Sequence, residues 1–326
     1  MAPSFIVFTI IARLRPAMRD RLTRMEILFA IALASVTGLA TAAQGSTNAA
    51  LGRSVGAVQA SWVSFTGGLI IFAFVCPLFG QGGITRALGA QWWQLLAGVY
   101  GVYIVFMMAY STPILGAALT STLFMCGQLS GGMVVDFLGL LGTTPVPVSA
   151  LRVGGCAVAF AGIALVYVGR KRSQRRRPSK SHYVCVFLAF SAGLASAIQT
   201  PTNAALASIT GVIESSTVNF IVGFSVLLVA TLIVNRGRIN PFKGCAPWKF
   251  TGGAYGAVGV PAITMATPIL GVSLALGFLM VAQLVGALLL DRFGWLETAK
   301  IPIEPLRILG ALVLAAGIVL VTLSKM

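Results

Sequence analysis

Residues 38–51 read Gly-Leu-Ala-Thr-Ala-Ala-Gln-Gly-Ser-Thr-Asn-Ala-Ala-Leu, and 155 positions later residues 193–206 read Gly-Leu-Ala-Ser-Ala-Ile-Gln-Thr-Pro-Thr-Asn-Ala-Ala-Leu. The same offset carries Thr112-Pro113-Ile114-Leu115-Gly116 unchanged onto Thr267-Pro268-Ile269-Leu270-Gly271. It also maps Trp93 on Trp248, Gln128 on Gln283, Asp136 on Asp291 and Arg152 on Arg307. One unit has been duplicated without a gap, so the fold must be assembled from two similar halves. If each half holds an odd number of membrane spans, the halves lie upside down to one another, an arrangement typical of transporters.

The bilayer follows from composition. With 57% hydrophobic and 9% charged residues, the chain has too little polar surface to cover a water-soluble globule of its size. A net charge of +16 would suggest nucleic acid in a soluble protein, but here the Lys and Arg residues sit in short segments between apolar runs and there is no soluble basic domain. Nucleic acid is therefore not an expected partner. Cys76, Cys126, Cys156, Cys185 and Cys245 show no CxxC spacing and read as small packing residues.

Apolar segments of membrane length fall at 26–50, 57–79, 92–111, 113–136 and 149–169, then at 183–206, 216–234, 248–266, 268–290 and 306–323. Helices are the default, because about 20 apolar residues at 1.5 Å each cross the hydrocarbon with their backbone groups internally bonded. The expected fold is an all-α membrane protein of ten transmembrane helices in two inverted five-helix repeats, residues 25–169 and 183–326. Residues 170–182 form a basic linker. Residues 1–24 contain an apolar run, Phe5 to Ala12, that is too short to span and is followed by five arginines. Either Met25 is the true start or this segment is an interfacial tail.

Charge fixes the expected orientation. With the first span starting outside, the inner side holds Arg53, the linker, Arg236 to Lys249, Arg292, Lys300 and Arg307, which is 15 of the 23 Lys and Arg residues. The linker is then cytoplasmic and both termini lie outside. The five arginines of the tail oppose this orientation. Pairs of small residues, Gly98 and Gly101 with Gly253 and Gly256, and Gly155 and Gly162 with Gly310 and Gly317, predict close helix contacts. Pro113 and Pro268 are expected to open the fourth helix of each half.

In a bilayer, a polar side chain at depth is the first place to seek function. Gln128 and Gln283 lie near the middle of their spans, and each can donate to and accept from a bound solute. Two amides bonding to neighbouring helices would serve structure equally well. Gln44 with Asn48, and Gln199 with Asn203, stand four residues apart on one helix face, either as capped helix ends or as gates on opposite sides. Asp136 with Arg152, and Asp291 with Arg307, are each 16 residues apart and are expected to pair across a helical hairpin. Glu214 aligns with Gln59 and has no charged counterpart. It is expected near water at its helix end, or as a proton site if it lies within the membrane.

Enzyme signatures are missing: there is no GxSxG, HExxH or phosphate loop, and His182 is the single histidine. No catalytic residue, cofactor or metal site is expected. The motif G-L-A-x-A-x-Q-x-x-x-N-A-x-L, the P-I-L-G string, and Gly127-Gln128-Leu129-Ser130-Gly131 through Asp136 resemble the YdcZ-like family of the drug/metabolite transporter superfamily. Ala282 replaces the leading glycine in the second copy. The resemblance covers residues 25–326 as a tandem fusion. It implies an exporter of the bacterial inner membrane, distantly similar to small multidrug resistance proteins, which use a glutamate in the first helix. The first and sixth spans here carry no deep acid, so the expected cargo is a small uncharged or zwitterionic metabolite moved by alternating access. The substrate-binding set is Gln128, Gln283, Gln44, Asn48, Gln199 and Asn203. The fused pseudo-dimer can act as a monomer, and the alternative is a scaffold or sensor subunit that transports nothing.

Overall fold

A computed structural model describes residues 16–81, 83–115, 117–147, 149–168, 180–236, 238–239, 242, 244–298, 300 and 304–323. Most of the expected tail and most of the basic linker lie outside the described residues. Within them, ten long helices and no strand occur. They are α1 (Pro16–Val55), α2 (Ala57–Phe79), α3 (Ala97–Leu115), α4 (Ala117–Leu138) and α5 (Ala150–Val168), then α6 (Lys180–Thr210), α7 (Val212–Val234), α8 (Gly252–Leu270), α9 (Val272–Phe293) and α10 (Pro305–Leu323). Short turns of helix at Trp92–Leu95 and Pro247–Phe250 precede α3 and α8. Helix α1 reaches back to Pro16, into the segment expected to stand apart from the fold.

Among the described residues, seven stretches are long and apolar enough to cross a membrane: Arg24–Val55, Ala57–Phe79, Trp92–Leu115, Lys180–Thr210, Val212–Val234, Pro247–Leu270 and Val272–Phe293. Ala150–Val166 and Pro305–Val321 are shorter apolar helices.

Equivalent helices meet each other antiparallel. On α2 and α7, Gln59 accepts from Asn235 Nδ2 at 3.0 Å, Trp62 packs on Phe224, and Phe65 and Phe72 pack on Phe220 with ring centroids 5.2 and 5.3 Å away. Rising numbers on one helix meet falling numbers on the other. On α5 and α10, a Cβ added to Gly155 would stand 2.8 Å from the Gly317 carbonyl, and one added to Gly162 would stand 2.7 Å from that of Gly310. The small residues let the two backbones touch, and dispersion between close backbones holds such pairs in lipid, where no hydrophobic effect draws helices together. Helix α1 packs between α8 and α9, just as α6 packs between α3 and α4. The halves are thus related by a pseudo-two-fold axis that reverses helix direction.

The prolines do not open the fourth helices. Pro113 lies inside α3 and Pro268 inside α8, each in the last turn. In the second half the chain turns instead at Gly271, whose φ of 77° is left-handed and cheap only for glycine. A proline in a final turn forfeits one backbone bond but does not reorient the chain.

Two of the apolar clusters among the described residues flank the centre of the bundle. The larger joins α4, α5, α9 and α10 with parts of α1 and α8, and the smaller is built on Phe65, Phe72, Phe220 and Leu227 of α2 and α7. Between them lies a cavity with both apolar and polar side chains in its wall.

Candidate functional site

The central cavity encloses about 90 Å³, and its wall takes residues from both apolar clusters, among them Phe65, Phe220, Ile263 and Leu279. Four of the six expected residues line it: Gln44, Gln128, Gln199 and Asn203. Sequence reading missed Ser196, Thr200, Asn219 and Tyr255, which with Thr37 and Thr41 complete the polar part of the wall. No charged residue lines the cavity.

The amides are held in place. Gln128 is 1% exposed and donates through Nε2 to Ser196 Oγ at 3.0 Å, while its Oε1 has no partner. Gln199 donates to the Ala97 carbonyl at 2.9 Å, and Gln44 makes a long contact of 3.5 Å to Ser64 Oγ. Asn219 Nδ2 donates to Asn203 Oδ1 at 3.0 Å. Gly101 and Gly256, aligned at the repeat offset, make room for two of these groups. A Cβ on Gly101 would stand 2.7 Å from Gln199 Nε2, and one on Gly256 would stand 2.8 Å from Gln44 Nε2.

Gln283 and Asn48 lie elsewhere. Gln283 is fully buried beside a void of about 20 Å³ with Thr41, Ser46, Thr112 and Asp291, and neither end of its amide has a partner. Asn48 is 2% exposed and packs its Oδ1 against Gly252. The pseudo-symmetry therefore breaks at these two amides, although Gln44 with Gln199 and Gly101 with Gly256 line the cavity as pairs. Position 196 is serine where its mate is Thr41, whose hydroxyl turns back to the Thr37 carbonyl at 2.7 Å instead of meeting an amide. Position 219 is asparagine where its mate is Ser64. The offset alignment contained both differences, but nothing in it marked them as lining a cavity.

Both expected ion pairs form and both are buried. Arg152 Nη2 meets Asp136 Oδ2 at 2.7 Å, and Arg307 Nη2 meets Asp291 Oδ2 at 2.7 Å. Asp136 does more than join its own hairpin. Its oxygens accept from the backbone N–H groups of Val272 and Ser273 at 3.2 and 3.0 Å, and Arg152 Nη2 also donates to Ser273 Oγ at 3.0 Å. A carboxylate of one repeat thus caps the first turn of α9 in the other, where the helix dipole favours negative charge.

The two ends of the bundle are closed unequally. At one end Glu297 bridges Arg53 at 2.9 Å and Lys249 at 2.8 Å. These two cations hold the Glu297 carboxyl below its ordinary range, with the hydrogen bond from Lys249 the largest cause. The aligned positions at the other end are Gly142, Ser208 and Gln94, none of them charged. All three line a cavity of about 640 Å³.

Comparison with known proteins gives the fold and the family. A crystal structure of another protein superposes with a TM-score of 0.63 at 14% identity, covering 93% of this chain and 98% of that one, which is a likeness of fold. No curated protein matches the sequence. The family model described as "Putative inner membrane exporter, YdcZ" matches residues 29–165 and again residues 184–320, so the chain belongs to the YdcZ family and carries the family's unit twice.

Proposed function

We propose that this protein is a ten-span transporter of two inverted five-helix repeats that moves a small uncharged or zwitterionic metabolite outward by alternating access. Residues 25–169 and 183–326 would form the repeats, and residues 170–182 a cytoplasmic linker. The observation that carries the reading is the unequal closure of two pseudo-equivalent ends around a polar, uncharged cavity. An ion cluster of Arg53, Lys249 and Glu297 closes one end, and a 640 Å³ cavity occupies the equivalent place at the other. Rocking of one repeat against the other would exchange the two conditions. The charge distribution puts the closed end on the cytoplasmic side.

Cargo chemistry is argued from the wall. An amide cavity offers donors and acceptors without a counter-charge, and the unpartnered Gln128 Oε1 is an acceptor awaiting a donor. At about 90 Å³ the cavity is well below the roughly 300–1,000 Å³ of pockets that enclose drug-sized ligands. The cargo is small, or the site widens as it opens. A scaffold would have no need of a buried cavity walled by four amide-bearing helices, and this observation favours transport over the scaffold reading.

The test is a thermal-shift screen of uncharged and zwitterionic metabolites on purified protein, followed by flux in proteoliposomes for each stabilising compound. Gln128→Leu should abolish both signals, whereas Gln283→Leu should leave flux unchanged. Undiminished flux with Gln128→Leu would remove this cavity from the transport path.

A further inference from the structure

Glu214, in the first turn of α7, is 1% exposed and has no cationic partner among the described residues. The other buried acids, Asp136 and Asp291, are each ion-paired to an arginine. Glu214 receives one long hydrogen bond, from the Gly83 N–H to Oε1 at 3.3 Å. Glycine surrounds it, for a Cβ on Gly80 would stand 3.1 Å from Oε1, and Gly211 packs against Oε2. Its pseudo-symmetric mate is Gln59, which closes the opposite end of the α2–α7 pair by accepting from Asn235 at 3.0 Å. The repeat is an internal control: a neutral amide suffices for the structural role at this position. The charge at 214 is surplus to the scaffold, and a buried carboxylate without a counter-ion is costly.

Glu214 is the one charged residue lining a groove of about 380 Å³, whose other walls are Phe72, Ala73, Cys76, Pro77, Ile84 and Thr217. The Thr217 hydroxyl is already bonded to the Ile213 carbonyl of its own helix. On the same end of α2, Phe74, Leu78 and Phe79 face outward at 69–75% exposure. The short helix Ile84–Gly89, which supplies Ile84 to the groove, also carries Arg86 on the exposed surface. An acid and an apolar channel thus meet where helices α2 and α7 end, at headgroup depth for spans of this length, with Arg86 exposed on the adjoining short helix.

We propose that this groove binds an aminophospholipid of the surrounding membrane, phosphatidylethanolamine in type. Its primary ammonium would pair with Glu214, its phosphate would lie near Arg86, and an acyl chain would run along the α2 wall. A primary ammonium supplies the counter-charge and further N–H donors, where the chain gives only the long bond from Gly83. A trimethylated headgroup supplies charge without donors. The site lies apart from the central cavity, so it stands whether or not that cavity carries cargo.

Native mass spectrometry of the full-length protein in detergent tests this, with phosphatidylethanolamine, phosphatidylcholine and phosphatidylglycerol of identical chains, and with dodecylammonium. The expected result is about tenfold stronger retention of phosphatidylethanolamine than of phosphatidylcholine, a preference that Glu214→Gln abolishes and Arg86→Gln weakens. Equal retention of the two lipids by the unmodified protein overturns the proposal without recourse to any variant. A preference that survives Glu214→Gln also overturns it. Dodecylammonium bound as tightly as the lipid, with Arg86→Gln silent, would reject a phospholipid as the occupant.

Discussion

Replacing Asp136 with alanine should destabilise the fold by about 4–6 kcal/mol. Asp136 and Arg152 are 1% and 3% exposed, so neither has water to fall back on. Removing the carboxylate strands the Arg152 guanidinium, whose Nη1 already lacks a partner, and breaking a buried pair in this way costs roughly 3–5 kcal/mol. It also frees the N–H groups of Val272 and Ser273 in the first turn of α9, for about 1 kcal/mol more after water and Ser273 Oγ compensate in part. Asp136→Asn keeps an acceptor for the helix end and should cost about 3 kcal/mol, mostly from the charge. The assay is reversible unfolding in mixed micelles by titration with a denaturing detergent, followed by helix circular dichroism. Its decisive comparison is the double variant Asp136→Ala/Arg152→Met, which removes the stranded charge and should regain about 2–3 kcal/mol over Asp136→Ala alone. An Asp136→Ala protein within about 1 kcal/mol of the parent, or a double variant as unstable as the sum of its single changes, would refute the reasoning.

Gly162→Leu should prevent α5 and α10 from meeting, because a Cβ at 162 already comes within 2.7 Å of the Gly310 carbonyl; loss of folded protein in size-exclusion chromatography reads this out. Gly101→Ala should behave differently, since its nearest neighbour is the far end of Gln199, which can move. Binding at the central cavity should weaken at least tenfold while thermal stability changes by less than about 2 kcal/mol. The ion cluster at Glu297 should respond to acid. Because the folded carboxyl titrates below its ordinary range, the cluster's contribution is complete above that range and is lost as pH falls through the lowered value. Its residues are 44–45% exposed at Arg53 and Glu297, so the stability effect is at most a few tenths of a kcal/mol. Labelling of a cysteine introduced at Ser54 should nevertheless rise at low pH, and Glu297→Gln should remove that dependence.

Much of this was legible in the chain. The offset of 155 residues defined the halves, and the spacing of 16 residues between acid and arginine placed both ion pairs correctly. Gln128 was identified by depth and polarity alone. The same argument named Gln283, and the structure puts that amide outside the central cavity. Depth along a helix can be counted in residues, but the direction in which a side chain points cannot. In a water-soluble helix an apolar stripe marks the packed face. In lipid, the exposed face is as apolar as the packed one, as Phe74 at 69% and Phe72 at 2% exposure on one helix illustrate. That loss of contrast hid Asn219, which enters the cavity where its mate Ser64 does not, and Ser196, which meets Gln128 there while its mate Thr41, also in the wall, bonds back to its own helix.

The sequence by itself determined the duplication, the membrane habit, the family and the inventory of polar groups that two halves could share. The tertiary structure alone decided that Gln128 and Asn203 face the cavity while Gln283 and Asn48 do not, and which end of the bundle is shut. The physical reason is that duplication copies the backbone pattern, whereas single side-chain differences at helix contacts choose between nearly equivalent arrangements. Glu297 with Arg53 and Lys249 makes that choice at one end, and Gly142, Ser208 and Gln94 leave the other open.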